Sequence, residues 1–228
     1  MRAFLALAAA ILIRSPINAI VDHGQPGGAG EELWRFDRID RLGAHATQVA
    51  GHPRVIDTPL GQAVEFDGAG DALFVDVHPL AGAREFTWEA IFRPDGGAQA
   101  QRWFHLQENG SDDRMLFEIR VVDDRWYLDT YVHSGANEKA LIDRERTHPL
   151  GRWYHVAAVY DGRVLRNYVD GVEQNAAEIA LSPQREGRSS IGVRINRVDY
   201  FKGAIHVARF TRRARAVREF LIAVPRAR

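Results

Sequence analysis

From Leu33 onward, apolar residues recur at every second position in short runs, and glycine, proline, aspartate or asparagine separates one run from the next. A period of two sends successive side chains to opposite faces, so the pattern predicts strands rather than long amphipathic helices. The candidate strands are 63–66, 72–75, 86–93, 102–107, 115–122, 126–133, 153–160, 163–169, 189–193 and 203–210. Asp161-Gly162 and Asp170-Gly171 supply tight reversals between the later ones. After the last strand, Thr211 is placed to cap a short helix on which Ala214, Val217, Phe220 and Leu221 share one face and the arginines turn to solvent. Many short strands without recurring helices predict an all-β, two-sheet antiparallel sandwich with a short C-terminal helix.

The first residues break this pattern. Arg2 precedes the apolar run 3–13, which is too short to span a bilayer but has the length of a signal-peptide core. Ala19 offers the small residue of a cleavage site, so 1–19 is read as a signal peptide, with an uncleaved anchor or a buried helix as the alternative. The stretch from Gly24 to Gly30 favours irregular backbone, which makes 20–32 a flexible linker and 33–228 the folded domain. The expected destination is secretion or the periplasm, with no transmembrane span in the mature chain.

Composition narrows the function classes. With 46% hydrophobic residues in 228, the chain can bury a core of its own. Acidic and basic residues balance at 30 each, and cleavage after Ala19 would remove Arg2 and Arg14 to leave a slight acidic excess, which argues against a nucleic-acid partner. There is no cysteine, so disulfides, thiolate metal sites and a cysteine nucleophile are excluded.

Several ordered phrases carry a family resemblance. Gly61-Gln62-Ala63-Val64-Glu65-Phe66-Asp67-Gly68, then 86–94, then Trp153 through Gly162, then Tyr168-Val169-Asp170-Gly171, and lastly Phe201-Lys202-Gly203-Ala204-Ile205 follow one another as in laminin-G-like domains. The chain therefore resembles the laminin-G-like jelly rolls of the concanavalin A-like lectin/glucanase superfamily, and the resemblance implies a jelly-roll sandwich. Members of this family often carry calcium. No cofactor is assigned here, but a structural calcium ion remains open because Asp67, Asp71 and Asp112-Asp113 supply hard oxygen ligands. Against it, His206 stands where many relatives place an aspartate on the closing strand. The related glucanases carry alternating carboxylates of the form E-x-D-x-E, which this sequence lacks.

Strict alternation also points to a candidate surface. It places Trp103, His105 and Gln107 on one face, Glu118 with Arg120, and Tyr127, Asp129, Tyr131 and His133 together. If these strands pair, His105, Glu118, Arg120, Tyr131 and His133 form a ligand-binding face. Aromatic rings suit apolar sugar surfaces, charged groups suit hydroxyls, and Arg120 suits a carboxylate or sulfate. An ordinary solvated sheet face is the alternative for the same pattern. The expected function is a secreted carbohydrate-binding or adhesive module whose partner is a polysaccharide or glycoconjugate. An acidic-polysaccharide lyase is the enzymatic alternative, with Tyr131, His105 or His133 transferring protons and Arg120 neutralising a uronate. A protein-interaction sandwich with an extracellular protein partner and no glycan affinity is the third reading.

Overall fold

The structure is a computed structural model that describes residues 30–221. The expected signal peptide and the first part of the expected linker lie outside the described residues. The linker boundary moves: Glu31 and Glu32 already belong to a strand, paired with Thr211 and Phe210.

Among the described residues the strands, in chain order, begin with β1 (Glu31–Arg35), β2 (Arg41–Leu42), β3 (His45–Ala46), β4 (Gln48–Ala50), β5 (Arg54–Thr58) and β6 (Gly61–Asp67). Then come β7 (Ala72–Val75), β8 (Phe86–Pro94), β9 (Ala100–Glu108), β10 (Arg114–Val122), β11 (Arg125–Ser134) and β12 (Asn137–Ile142). The last are β13 (His148–Pro149), β14 (Tyr154–Tyr160), β15 (Val164–Val169), β16 (Val172–Glu178), β17 (Gly187–Ile191) and β18 (Lys202–Thr211). They build two large antiparallel sheets, ordered β16-β15-β14-β8-β18-β6-β5 and β12-β11-β10-β9-β17-β7-β4. Strand β1 also pairs with β18, β13 pairs with β11, and β2 and β3 form a separate ribbon. All ten sequence-predicted strands are present. The unpredicted β4, β5, β12 and β16 are the ends of the two sheets, where polar side chains blunt an edge open to solvent.

The inner faces of the sheets meet over an aromatic core. Trp34, Trp88, Trp103 and Trp126 are at most 1% exposed. Trp103 stacks on Phe92 at 4.4 Å and on Phe117 at 5.2 Å, while Phe104 meets Trp88 edge-on at 5.2 Å. Adjacent residues of a regular strand cannot both face inward, so β9 must break its alternation. It does so with a bulge: Phe117 pairs with Phe104 and Glu118 with Arg102, leaving Trp103 unopposed. Trp103 thus joins the core and does not share the face of His105 and Gln107, as strict alternation predicts.

The C-terminal helix is a single 3₁₀ turn, Val217–Glu219. Thr211 ends β18 and does not cap it; Ala216 holds the N-cap position. This segment crosses the outer face of the first sheet, where Phe220 packs against Ala157, Val159 and Tyr168. Beneath it lies buried Glu89, whose Oε1 is 3.0 Å from His155 Nε2 and accepts the Leu221 N–H, and whose Oε2 accepts from Arg209. Among the described residues no helix is long and apolar enough to cross a membrane.

Replacing the Trp103 indole leaves a large void between Phe92 and Phe117. Trp103→Ala should therefore lower unfolding free energy by about 3–5 kcal/mol, measured by denaturant titration. A loss below about 1 kcal/mol would contradict the packing described.

Candidate functional site

Strands β9, β10, β11 and β12 pair consecutively, and their register aligns one polar face. Leu116 of β10 stands between His105 and Tyr131, Glu118 between Arg102 and Asp129, and Arg114 between Gln107 and His133. The outer side of this sheet holds a hollow of about 270 Å³ lined by Arg102, Arg114, Glu118, Arg120, Asp129, Tyr131 and Arg194, with Leu116, Ala140 and Ile142 as its apolar part. Arg194 comes from the segment between β17 and β18, which folds over the sheet. Gly192 opens that segment at a φ of 84°, a conformation for which glycine is suited. Ile195 N–H then donates to His105 Nδ1, Arg102 N–H donates to the Asp199 carbonyl, and the Arg102 guanidinium pairs with the Asp199 carboxylate.

Three of the five sequence-predicted residues, Glu118, Arg120 and Tyr131, line the hollow. Glu118 is buried and receives Arg102 at 2.8 Å and Arg120 at 2.9 Å, and Arg120 also reaches Asp129 at 2.7 Å. Arg120 thus engages carboxylates of the protein itself. Tyr131 donates its hydroxyl to Glu138 at 2.6 Å and carries the Arg114 guanidinium 5.1 Å over its ring. Burial and Glu138 raise its pKa above the ordinary phenol value.

His105 and His133 do not line the hollow. His105 is 1% exposed, and burial together with Arg194, Arg114, Arg188 and Arg102 pushes its pKa down to about 3. It is a buried, neutral ring under the covering segment, where its Nδ1 accepts the Ile195 N–H. His133 lies farther along the same face, with Nδ1 3.2 Å from Asp113, whose carboxylate also accepts the Gly135 N–H. Sequence reasoning missed Arg102, Arg114 and Arg194. Arg102 reaches this face only because of the bulge, Arg114 lies one residue before the predicted strand, and Arg194 arrives from a loop remote in sequence.

The charges in the hollow are not all matched. Arg102 and Arg120 have carboxylate partners, whereas Arg114 and Arg194 have none within ion-pair distance among the described residues. Three residues lining it also carry a buried polar atom without a partner: Arg114 Nε, Arg120 Nη1 and Asp129 Oδ1. Burial and then the neighbouring Glu118 push the Asp129 pKa up to about 7.

A larger hollow, about 810 Å³, lies at the rim beside Asp67, Asp71 and Lys202. Its Asp67 and Asp71 carboxylates are engaged by the backbone. Asp67 Oδ1 accepts the N–H groups of Ala69, Gly70 and Asp71, and the Asp71 carboxylate accepts those of His52 and Asp67. A calcium ion needs six to eight converging oxygens. Asp113 belongs to the other region, near His133. His206 is the extra residue of a β18 bulge and faces the Gln62 carbonyl at 2.7 Å. Among the described residues no three His, Cys, Asp or Glu side chains come together as metal ligands.

Comparison with known proteins bears on the fold. Residues 67–219 match a laminin-G-like family described as the concanavalin A-like lectin/glucanases superfamily. Pappalysin-1 of Mus musculus is 26% identical over 172 residues, covering 71% of this chain and 10% of the relative, so the chain spans about a tenth of that protein. Domain 4 of AbnA, a GH43 extracellular arabinanase from Geobacillus stearothermophilus solved with arabinotriose, superposes at TM-score 0.57 with 16% identity, covering 83% of this chain and 85% of that one. The binding domain of Paraclostridial Mosquitocidal Protein 1 gives TM-score 0.63 at 10% identity over 84% and 51% of the two chains. The receptor-binding domain of botulinum neurotoxin type G gives 0.59 at 12% over 82% and 49%. At these identities the structural likeness establishes the sandwich.

Asp129 makes the site's electrostatics testable. Its folded pKa of about 7 lies above the carboxylate value of the unfolded chain, so its neutral form favours folding. That contribution is complete below about pH 4 and is lost as pH rises through about 7. The Tm advantage of Asp129→Asn over the wild type should widen from pH 4 to pH 7 and then level off. A pH-independent difference in melting would show that Asp129 is not shifted.

Proposed function

Because the chain belongs to the laminin-G-like family of the concanavalin A-like lectin/glucanases superfamily, we propose that it is an exported carbohydrate-binding module whose ligand occupies the β9–β12 hollow. One observation carries this reading: a solvent-open hollow combines guanidinium donors and a tyrosine with the apolar surface of Leu116, Ala140 and Ile142. Such a mixture suits a sugar, which offers hydroxyls around its rim and C–H groups on its faces. The arabinotriose bound to the AbnA domain supports the same reading for a sandwich of this shape.

The lyase alternative is less favoured by the geometry. Its proposed proton carriers are dispersed: His105 is buried and neutral, His133 lies outside the hollow, and the Tyr131 hydroxyl is committed to Glu138. Its proposed uronate partner, Arg120, is held by Glu118 and Asp129. Binding requires none of these groups to move a proton.

Glycan-array screening followed by calorimetry tests the proposal. At least one glycan class should bind, and Tyr131→Ala should weaken that binding by roughly tenfold with the fold intact by circular dichroism. Saturable binding to an extracellular protein, with no glycan retained, would instead establish the protein-interaction reading. Export is tested separately: mass spectrometry of the secreted or periplasmic protein should find a chain that starts after Ala19.

A further inference from the structure

Resting on the carbohydrate-binding reading, we propose that the ligand is an anionic glycan and that one of its carboxylate or sulfate groups is held between Arg114 and Arg194. Four guanidiniums surround the hollow in a chain whose formal charges balance overall. Glu118, Asp129 and Asp199 engage Arg102 and Arg120. Arg114 and Arg194 line the same hollow with no acidic partner among the described residues, and after burial the charges of Arg114 and then Arg102 lower the pKa of Arg194. An anion between them relieves that repulsion, and a planar guanidinium fork matches a carboxylate or sulfate in geometry. Arg114 is already oriented by the Asp112 carbonyl and the Tyr131 hydroxyl, so little side-chain freedom remains to be lost on binding. Its buried Nε has no partner in the protein.

The same site responds to pH. The charged and titratable groups that share the hollow with Asp129 are Arg114, Glu118 and Arg120 on β10, Arg102 on β9, Tyr131 on its own strand and Arg194 on the covering segment, with Asp199 paired to Arg102. Its opposite number on β12 is uncharged Ile142. Below about pH 7 Asp129 is neutral and the hollow is more cationic. Uronates and sulfates stay ionised from pH 6 to pH 8, so affinity falls as pH rises.

Calorimetry on the full chain with three probes of similar length separates the cases: an oligogalacturonate, a heparin-derived oligosaccharide and neutral xylohexaose. An acidic probe should bind at least tenfold tighter than the neutral one, and Arg114→Ala and Arg194→Ala should each weaken it by roughly tenfold. Arg114→Lys should not restore binding. Affinity should be roughly fivefold higher at pH 6 than at pH 8, and Asp129→Asn should abolish that ratio. Whichever acidic probe wins identifies uronate or sulfate as the source of the anion. Equal affinity for neutral and acidic probes, or acidic binding insensitive to both alanine variants, would overturn the anionic assignment and leave carbohydrate binding standing. Failure of every glycan to bind a folded wild-type chain would overturn both.

Discussion

The β-bulge at Trp103 is the constraint on which both the core and the candidate site depend. A regular strand would send Trp103 and Phe104 to opposite faces, yet both rings are fully buried in one aromatic cluster. Inserting one unpaired residue satisfies both and reverses the alternation beyond it. Arg102 consequently emerges on the polar face opposite Glu118, where it makes an ion pair that a regular register would forbid. The packing of an indole between Phe92 and Phe117 therefore fixes where a guanidinium stands on the other side of the sheet. A change that straightened β9 would bury Arg102 or expose Trp103, and either is costly.

Both sheets also face the problem of polar groups on a covered outer surface, and they solve it alike. On the first sheet, Glu89 is met by Arg209, His155 and the Leu221 N–H of the C-terminal segment. On the second, His105 receives the Ile195 N–H of the segment between β17 and β18, and Glu118 is met by two arginines. In each case a crossing segment donates a backbone N–H to a buried polar side chain. The outcomes differ because the first cover ends in Phe220, whose ring fills the space over Ala157, Val159 and Tyr168. The second cover instead brings Arg194 to the edge of a space that stays open. A guanidinium without an acidic partner among the described residues is thereby left on this face of the sandwich.

What was legible in the sequence follows the same physics. Ten strands announced themselves through apolar alternation because each packs at least one face into the core, and the ordered laminin-G-like phrases mark turns and buried positions of those strands. The four sheet-end strands did not: residues 137–139 and 172–173, for example, are exposed and polar or isolated in their hydrophobicity. The pairing of β9 through β12 was legible from succession, and with it the placement of Glu118, Arg120 and Tyr131 on one face. Two kinds of information were not. A bulge depends on the fit of particular rings against a partner sheet, so no local period betrays it, and the covering segment is remote from the strands it covers. The C-terminal helix failed for a related reason: Phe220 and the Glu89 contact to Leu221 hold the chain extended after one turn, overriding its helical periodicity.

An arginine's availability is set by its partners more than by its place in a motif, and this sharpens the reading of the site. Arg120 stands centrally on the predicted face, but Glu118 and Asp129 both claim it. An added anion would have to compete with two carboxylates already in place and would be repelled by them. Arg114 and Arg194 line the same hollow with no carboxylate engaged among the described residues. The carboxylates that hold Arg102 and Arg120 thus fix two cations as scaffold and leave the other two without an acidic partner among the described residues. Asp129 interacts with Glu118, Arg120 and Arg102 and lines the same hollow as Arg114 and Arg194, so its ionisation changes the net charge of the space they share.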